Sequence, residues 1–161
     1  MLEELYQHYL KHGSVTTDSR RITKGAIFFG LKGDKFDGNQ FAEQALDNGA
    51  SLAVIDNPTF MTHDCILVDN ALKTLQELAA HHRKQLKAKI IGITGTNGKT
   101  TTKELIQCVL SKKYHAVATR GNLNNQIGVP LTLLSLTADV DVAIIEMGAS
   151  HPGDIAELAS I

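Results

Sequence analysis

No run of apolar residues in this sequence approaches the ~20 that a helix needs to cross a bilayer, so no membrane span is expected. Neither charge is in excess. Lys and Arg number 16 against 17 Asp and Glu, a formal net charge of −1. No global field therefore draws in nucleic acid or an anionic membrane, and any polyanion must be held by a local site. Cysteine is scarce: Cys65 and Cys108 are the only two. Neither lies in a C-x-x-C or similar metal spacing, and without a secretion signal a disulfide between them is not expected. Each sits in an apolar stretch, so both are expected to be buried free thiols. The opening MLEELYQHYLKHG spaces Leu2, Leu5, Tyr6, Tyr9 and Leu10 at helical intervals among charges. That is an amphipathic helix and not a signal peptide. Repeats and low-complexity tracts are also lacking. The remaining balance, 43% apolar and 20% charged over 161 residues, is that of a soluble globular protein with one good core or two small domains. A cytoplasmic location is expected.

What the chain does contain is an alternation of strand-like and helix-like segments. Residues 2–12 read as a helix stopped at Gly13. Strands are expected at 15–20 and 26–31. A helix at 40–48 would be capped by Asn39 and ended by Gly49, with strands at 52–55 and 65–68 on either side of an Asn57-Pro58 break. Asn70 is the expected cap of a long helix reaching about Lys87, with Leu72, Leu75, Leu78 and Ala79 on its apolar face. A buried strand at 89–94 follows, then a glycine-rich loop and a helix from Lys99 to about Ser111. Further on come a strand at 115–119, a helix at 126–136, a strand at 140–146 and a helix over 152–160, whose first turn Pro152 suits. The alternation implies an α/β fold with a parallel sheet covered on both faces. The charged segment 83–89 marks the expected boundary between a domain at 1–83 and a second at 84–161. The second shows three strands, fewer than a doubly wound nucleotide domain normally carries. The chain is therefore expected to be a fragment of a longer protein, its second domain truncated.

The most informative segment is IIGITGTNGKTTTKELI. A strand ends at Thr94, a tight loop holds Gly95, Thr96, Asn97 and Gly98, and Lys99, Thr100 and Thr101 open a helix. Glycines let backbone N–H groups turn toward an anion, and the helix start adds unsatisfied N–H groups and a positive dipole end. Lys99 can reach the β- and γ-phosphates of a nucleotide, and the Thr100 hydroxyl can coordinate Mg²⁺. The generic phosphate-loop pattern wants glycine five residues before Gly98, where this chain has Ile93; the glycine stands at position 95 instead. A bare strand–helix turn with a surface lysine would also fit these residues. The string T-G-T-N-G-K-T-T-T resembles the ATP loop of the Mur ligases and folylpolyglutamate synthases, which share the shifted glycine.

A second constellation lies further along. Glu146 ends the apolar strand VAIIEMGAS, which reads as an interior strand beside the phosphate-loop strand. Its carboxylate is then expected on the ligand side of the sheet, able to bind Mg²⁺. The alternative is a glutamate satisfied by a neighbouring helix N-terminus. In the Mur ligases the glutamate of this motif is a metal ligand, and Glu146 matches it. The segment TRGNLNNQIGVP offers Asn122, Asn124 and Asn125 as neutral groups able to orient a carboxylate and its acyl phosphate, or as an Asn-rich turn and helix cap. It is similar to the GNxNNxxGxPLTLL segment of the Mur-family branch that takes D-alanyl-D-alanine, and EMGASHPGDI resembles that branch's EMGxxxxGEI. His151 reads as a loop histidine and not as a base.

At the other end, TTDSR at 16–20 and AIFFGLKGDKFDGNQF at 26–41 form a pair. The guanidinium of Arg20 suits phosphate, or it pairs at the surface with Asp18 or Asp34. Ser19, Gly33 and Gly38 allow close backbone contacts, and Lys32 and Lys35 are phosphate partners or solvated lysines. The pair resembles the start of the Mur ligases' uridine-binding domain, TDSR followed by FxALxGxxxDGxxF. Gly30 replaces the usual Ala, and Asn39 stands where His is common.

The resemblance covers essentially the whole chain in order. It implies a small N-terminal α/β domain binding a uridine nucleotide through Ser19, Arg20, Gly33, Asp37, Gly38 and Asn39, followed by the first part of a parallel-sheet ATP-binding domain. It implies ATP and Mg²⁺ as cofactors, with UDP-N-acetylmuramoyl tripeptide and D-alanyl-D-alanine as substrates of peptidoglycan precursor synthesis. The tripeptide carboxylate would attack the γ-phosphate of ATP, Lys99 and Mg²⁺ would offset the growing charge, and the dipeptide amine would displace phosphate from the acyl phosphate. A carbamylated lysine, a metal-binding histidine, the adenine pocket and a C-terminal domain are expected beyond Ile161. The fragment is therefore expected to be inactive alone and prone to self-association, and the whole enzyme monomeric. Two alternatives stay open: another Mur-type or folylpolyglutamate ligase, and a phosphate-loop regulatory module.

Overall fold

A short amphipathic segment starts the chain. Helix α1 (Leu2–His12) buries Leu5, Tyr6 and Tyr9 on one side, and Gly13 closes it in the left-handed conformation (φ 65°). The computed structural model describes residues 1–33 and 36–161; the readings of Asp34 as a partner of Arg20 and of Lys35 as a phosphate partner lie outside the described residues.

The first sheet contains β1 (Val15–Thr16), β2 (Ile27–Phe29), β3 (Leu52–Ile55) and β4 (Cys65–Leu67), in that spatial order and all parallel. β1 is much shorter than the strand expected at 15–20. The Thr16 hydroxyl accepts from the Asp18 N–H, and the Asp18 carboxylate accepts from the Arg20 N–H. These local side-chain bonds turn the backbone out of the ladder. The helix expected at 40–48 also starts differently. Asp37, not Asn39, caps a single 3₁₀ turn over Gly38–Phe41, and α2 (Ala42–Asp47) follows. α2 and the sheet enclose a core of Phe28, Ala42, Ala45, Ala53, Ile55 and Cys65. The long helix α3 (Ala71–Gln85) begins as expected, with the Asn70 side chain accepting from the Lys73 N–H.

The chain forms two compact units, Met1–Leu78 and Ala79–Ile161. Their division falls inside α3 and not in the charged stretch 83–89. His82, Arg83 and Lys84 lie in the last turn of that helix, where positive charge suits the dipole, so the stretch 83–89 begins as helix, and only 86–88 connect it to the next strand.

In the second unit β5 (Lys89–Ile93), α4 (Lys99–Leu110), β6 (Ala116–Ala118), α5 (Gly128–Leu134), β7 (Val142–Glu146) and α6 (Asp154–Ser160) alternate, and the parallel sheet runs β5-β7-β6. β7 is central and all five of its residues are buried. β5 was expected to be buried, yet it is an edge strand whose residues are exposed or half-buried. Alternation along β7 sends Val142 and Ile144 to the α4 side, where they meet Ile106 and Leu110, and Glu146 has the same parity. α5 starts later than expected because the Asn125 side-chain amide oxygen accepts from the Ile127 and Gly128 N–H groups at its start. Cys65 is buried as expected, but Cys108 is exposed. It lies on the outer face of α4 with Leu105 (63% exposed) and Val109 (69%). A contiguous apolar run in sequence does not share one helix face. Among the described residues no helix is long and apolar enough to cross a membrane.

Candidate nucleotide and metal site

Three local features build the site in the second unit. The first is the β5–α4 turn. β5 ends level with β7, Ile93 opposite Glu146, and the backbone then bends through Gly95 (φ 147°) and Gly98 (φ 74°). A Cβ on Gly98 would meet nothing within 4 Å, so glycine is needed there for its backbone conformation and not for space. Gly98 supplies no side-chain cap to α4, so the first N–H groups of the helix face the open turn. Thr96, Asn97, Thr100 and Thr101 are exposed around it. The Lys99 ammonium donates to the Gly95 carbonyl at 2.7 Å, which holds the charge over the loop.

The second feature is the face of α4 that meets the sheet. Thr100 and Lys103 lie one turn apart, above Ile106 and Leu110. The third is the end of β7. Glu146, 2% exposed, is held at both carboxylate oxygens and at its N–H: Oε2 accepts from the Thr100 hydroxyl at 3.0 Å and lies 3.6 Å from Lys103 Nζ, Oε1 accepts from the Asn124 amide at 3.0 Å, and the backbone N–H donates to the Thr119 hydroxyl at 2.9 Å. Burial pushes the Glu146 carboxyl up, but the hydrogen bonds from Asn124 and Thr100 and the Lys103 charge outweigh it, so it is held below the usual carboxylate range. The group is an anion at neutral pH.

The structure thus brings Thr100, Glu146 and Asn124 together, with the glycine turn and Lys99 at the neighbouring strand end. It does not bring the other two asparagines in. Asn122 turns the chain through its carbonyl, which accepts from the Asn124 N–H, and the Asn125 side chain is spent capping α5. Lys103 and Thr119 complete the cluster and were not anticipated. Lys103 did carry a signal, its i+4 spacing from Lys99, but spacing gives a helix face and not the strand it meets. His151 is exposed and pairs loosely with Asp154 at 3.8 Å, as a loop histidine would.

A hydroxyl and a carboxylate are hard oxygen donors suited to Mg²⁺, which is usually held by one or two carboxylates together with substrate phosphates. Among the described residues no group of three His, Cys, Asp or Glu side chains could enclose a metal.

The first unit shows a different picture. The Arg20 guanidinium lies on Asp18 in a two-point pair, Nε to Oδ1 at 2.9 Å and Nη2 to Oδ2 at 3.0 Å. Those hydrogen bonds hold the Asp18 carboxyl down to about 2. The Arg20 side chain is 82% exposed, so a ligand phosphate has only a solvated pair to break. Ser19 is buried and donates to Gln44. Gly38 passes so close to Leu31 that a Cβ would run into its backbone, and Gly33 packs against the Phe36 ring. Asn39 departs from expectation. It is fully buried, its amide N–H groups donate to Asp37 and Asp56, and its carbonyl accepts from the Asp56 N–H. No donor is left for a nucleotide, and the residue ties the 31–41 loop to the end of β3. Asp37 is likewise engaged. Burial pushes its carboxyl up, while hydrogen bonds from Asn39 and Asn57 bring it lower on balance.

Two family models match the chain, one described as "Mur ligase family, catalytic domain" over residues 12–91 and one as "Mur ligase middle domain" over residues 93–161. The UDP-N-acetylmuramoyl-tripeptide–D-alanyl-D-alanine ligases of Escherichia coli K12 and Bacillus subtilis 168 are each 43% identical to it, over 92% and 93% of this chain and 33% of their own length. Among solved structures, MurF from Acinetobacter baumannii aligns with a TM-score of 0.84 at 38% identity, over 91% of this chain and 32% of that one. MurF ligase from Thermotoga maritima, in complex with ADP, aligns with a TM-score of 0.82 at 35% identity, over 91% and 34%. The chain spans about a third of the length of the curated relatives it matches.

Proposed function

The chain belongs to the Mur ligase family, and from that premise we propose that it is part of an ATP-dependent carbon–nitrogen ligase joining D-alanyl-D-alanine to UDP-N-acetylmuramoyl tripeptide in peptidoglycan precursor synthesis. The observation that carries the proposal is the Thr100 hydroxyl resting on the Glu146 carboxylate at 3.0 Å beside the glycine turn. Two hard oxygens there adjoin backbone N–H groups aimed at an anion.

In this proposal residues 84–161 begin the ATP-binding domain. The backbone of Gly95, Thr96, Asn97 and Gly98 cradles the phosphates together with Thr101 and the first turn of α4. Lys99 leaves the Gly95 carbonyl for the β- and γ-phosphates and offsets the charge that builds as the tripeptide carboxylate attacks phosphorus. Thr100 and Glu146 hold Mg²⁺, which when bound neutralises phosphate charge. Asn124 fixes the Glu146 rotamer. Residues 1–83 form the UDP-substrate domain, with Arg20 exchanging Asp18 for a phosphate and Ser19, Gly33 and Gly38 shaping the approach. Asn39 and Asp37 act on that loop from behind. The enzyme works in the cytoplasm, monomeric when whole. This chain alone self-associates through the exposed Leu105–Val109 face of α4, which light scattering would register.

Calorimetry with a non-hydrolysable ATP analogue and Mg²⁺ tests the nucleotide site. Binding to the chain is expected, and Lys99→Ala should weaken it roughly 10- to 100-fold, the value of one charge-assisted contact. Equal binding by both proteins would remove Lys99 from the site. Phosphate release above background from this chain alone, with tripeptide and dipeptide supplied, would contradict the proposal that ligation needs more of the protein.

A further inference from the structure

Lys103 is the only Lys or Arg among the described residues whose side chain is buried, at 3% exposure. An ammonium taken from water needs a strong reason to stay. Its partner is Glu146 Oε2, 3.6 Å away, the same oxygen that accepts from Thr100, while Asn124 occupies Oε1. Glu146 therefore already has a cation before any metal arrives.

We propose that Lys103 is a positioning residue, a resident counter-cation that holds the Glu146 side chain in place and makes divalent-cation binding at Thr100 and Glu146 depend on nucleotide phosphate. The inference rests on the ATP site proposed above. Thr100 and Glu146 would hold a divalent ion in place of the hydrogen bond between them, next to the Lys103 ammonium, where like charges would repel in a partly dry site. The lysine stem rises from the face of α4 that meets the sheet, one turn before Ile106. Lys99 adds a second positive charge at the loop. With the loop empty, the Lys103 ammonium competes with the metal for the carboxylate, and the nearby Lys99 charge adds to the repulsion. The negative charge of a polyphosphate reverses that balance, so metal and nucleotide enter as one unit. The site then holds no metal ion without the phosphate that gives it a task, and Glu146 keeps its rotamer in the interval.

The test follows Mn²⁺ binding by electron paramagnetic resonance, with and without a non-hydrolysable ATP analogue. The wild-type chain is expected to bind Mn²⁺ at least about tenfold more tightly with the analogue present. Lys103→Met and Lys103→Gln should each raise the nucleotide-free affinity about tenfold or more, narrowing the nucleotide dependence, while Lys103→Arg should keep the wild-type pattern. Gln keeps a hydrogen bond to Glu146 and carries the measurement if the Met variant does not fold. Mn²⁺ should also raise the melting temperature of the Gln variant more than that of wild type. If the analogue binds with Mn²⁺ but all the Lys103 variants superimpose on wild type, the counter-cation is refuted and the ATP site stands. If the wild-type chain binds no analogue at any Mn²⁺ concentration, both fall.

Discussion

At the scale of single residues, the cluster around Glu146 separates structural from functional demands. Removing the negative charge leaves Lys103 buried without a counter-ion, so Glu146→Gln should destabilise the chain by about 3 kcal/mol at neutral pH. The pH dependence has a definite sign. The folded carboxyl is held below its ordinary value of 4.5, so its contribution is complete above that value and fades as the pH falls through the lowered folded value. The gap in melting temperature between wild type and Glu146→Gln should therefore be widest near neutrality and narrow as the pH falls through the lowered folded value. A gap that does not narrow anywhere on acidification would show that the ion pair contributes nothing. Asn39 teaches the opposite lesson. A polar residue inside a motif looks like a ligand contact, yet this one spends its whole amide on Asp37 and Asp56.

At the scale of elements, the turn leading into α5 is a tight local constraint. Gly128 packs so closely on Leu123 that a Cβ would overlap its backbone. The same 121–128 segment delivers Asn124 to Glu146. Gly128→Ala should therefore cost about 2 kcal/mol or more, and its loss of Mn²⁺–nucleotide affinity should exceed what its stability loss alone explains. Denaturant unfolding and metal titration of one sample check both. The kind and order of elements were legible because periodicity is local: helices at 2–12, 70–87 and 99–111 and strands at 52–55 and 140–146 all appear near their expected places. What failed was whatever depends on distant neighbours. The KIIGIT run has the composition of an inner strand, but the sheet order makes it an edge. Cys108 has apolar neighbours in sequence and solvent in space. The meeting of Thr100 and Glu146 could be anticipated from motif and strand end. Lys103 could not, because only the packing of α4 on β7 shows which lysine the carboxylate meets.

At the scale of the molecule, the two compact units are proposed to serve different ligands, and their responses should separate. Hydrogen exchange with the ATP analogue and Mn²⁺ should protect amides in 95–103 and 142–147 and leave 14–56 unchanged. A UDP-sugar ligand should do the reverse. Equal protection of both regions by either ligand would argue against that division of labour.

The parallel register of β7 acts as a vernier for the whole site. Ile93 stands opposite Glu146, and the carboxylate shares a side of the sheet with Val142 and Ile144. Deleting one residue among 142–145 would leave a strand as greasy as before, able to form the same ladder. Yet it would swing the acid to the reverse side, toward Val129, Leu133 and Leu158. Lineages that keep this chemistry should therefore tolerate exchanges among the apolar letters of VAII but no change in their number.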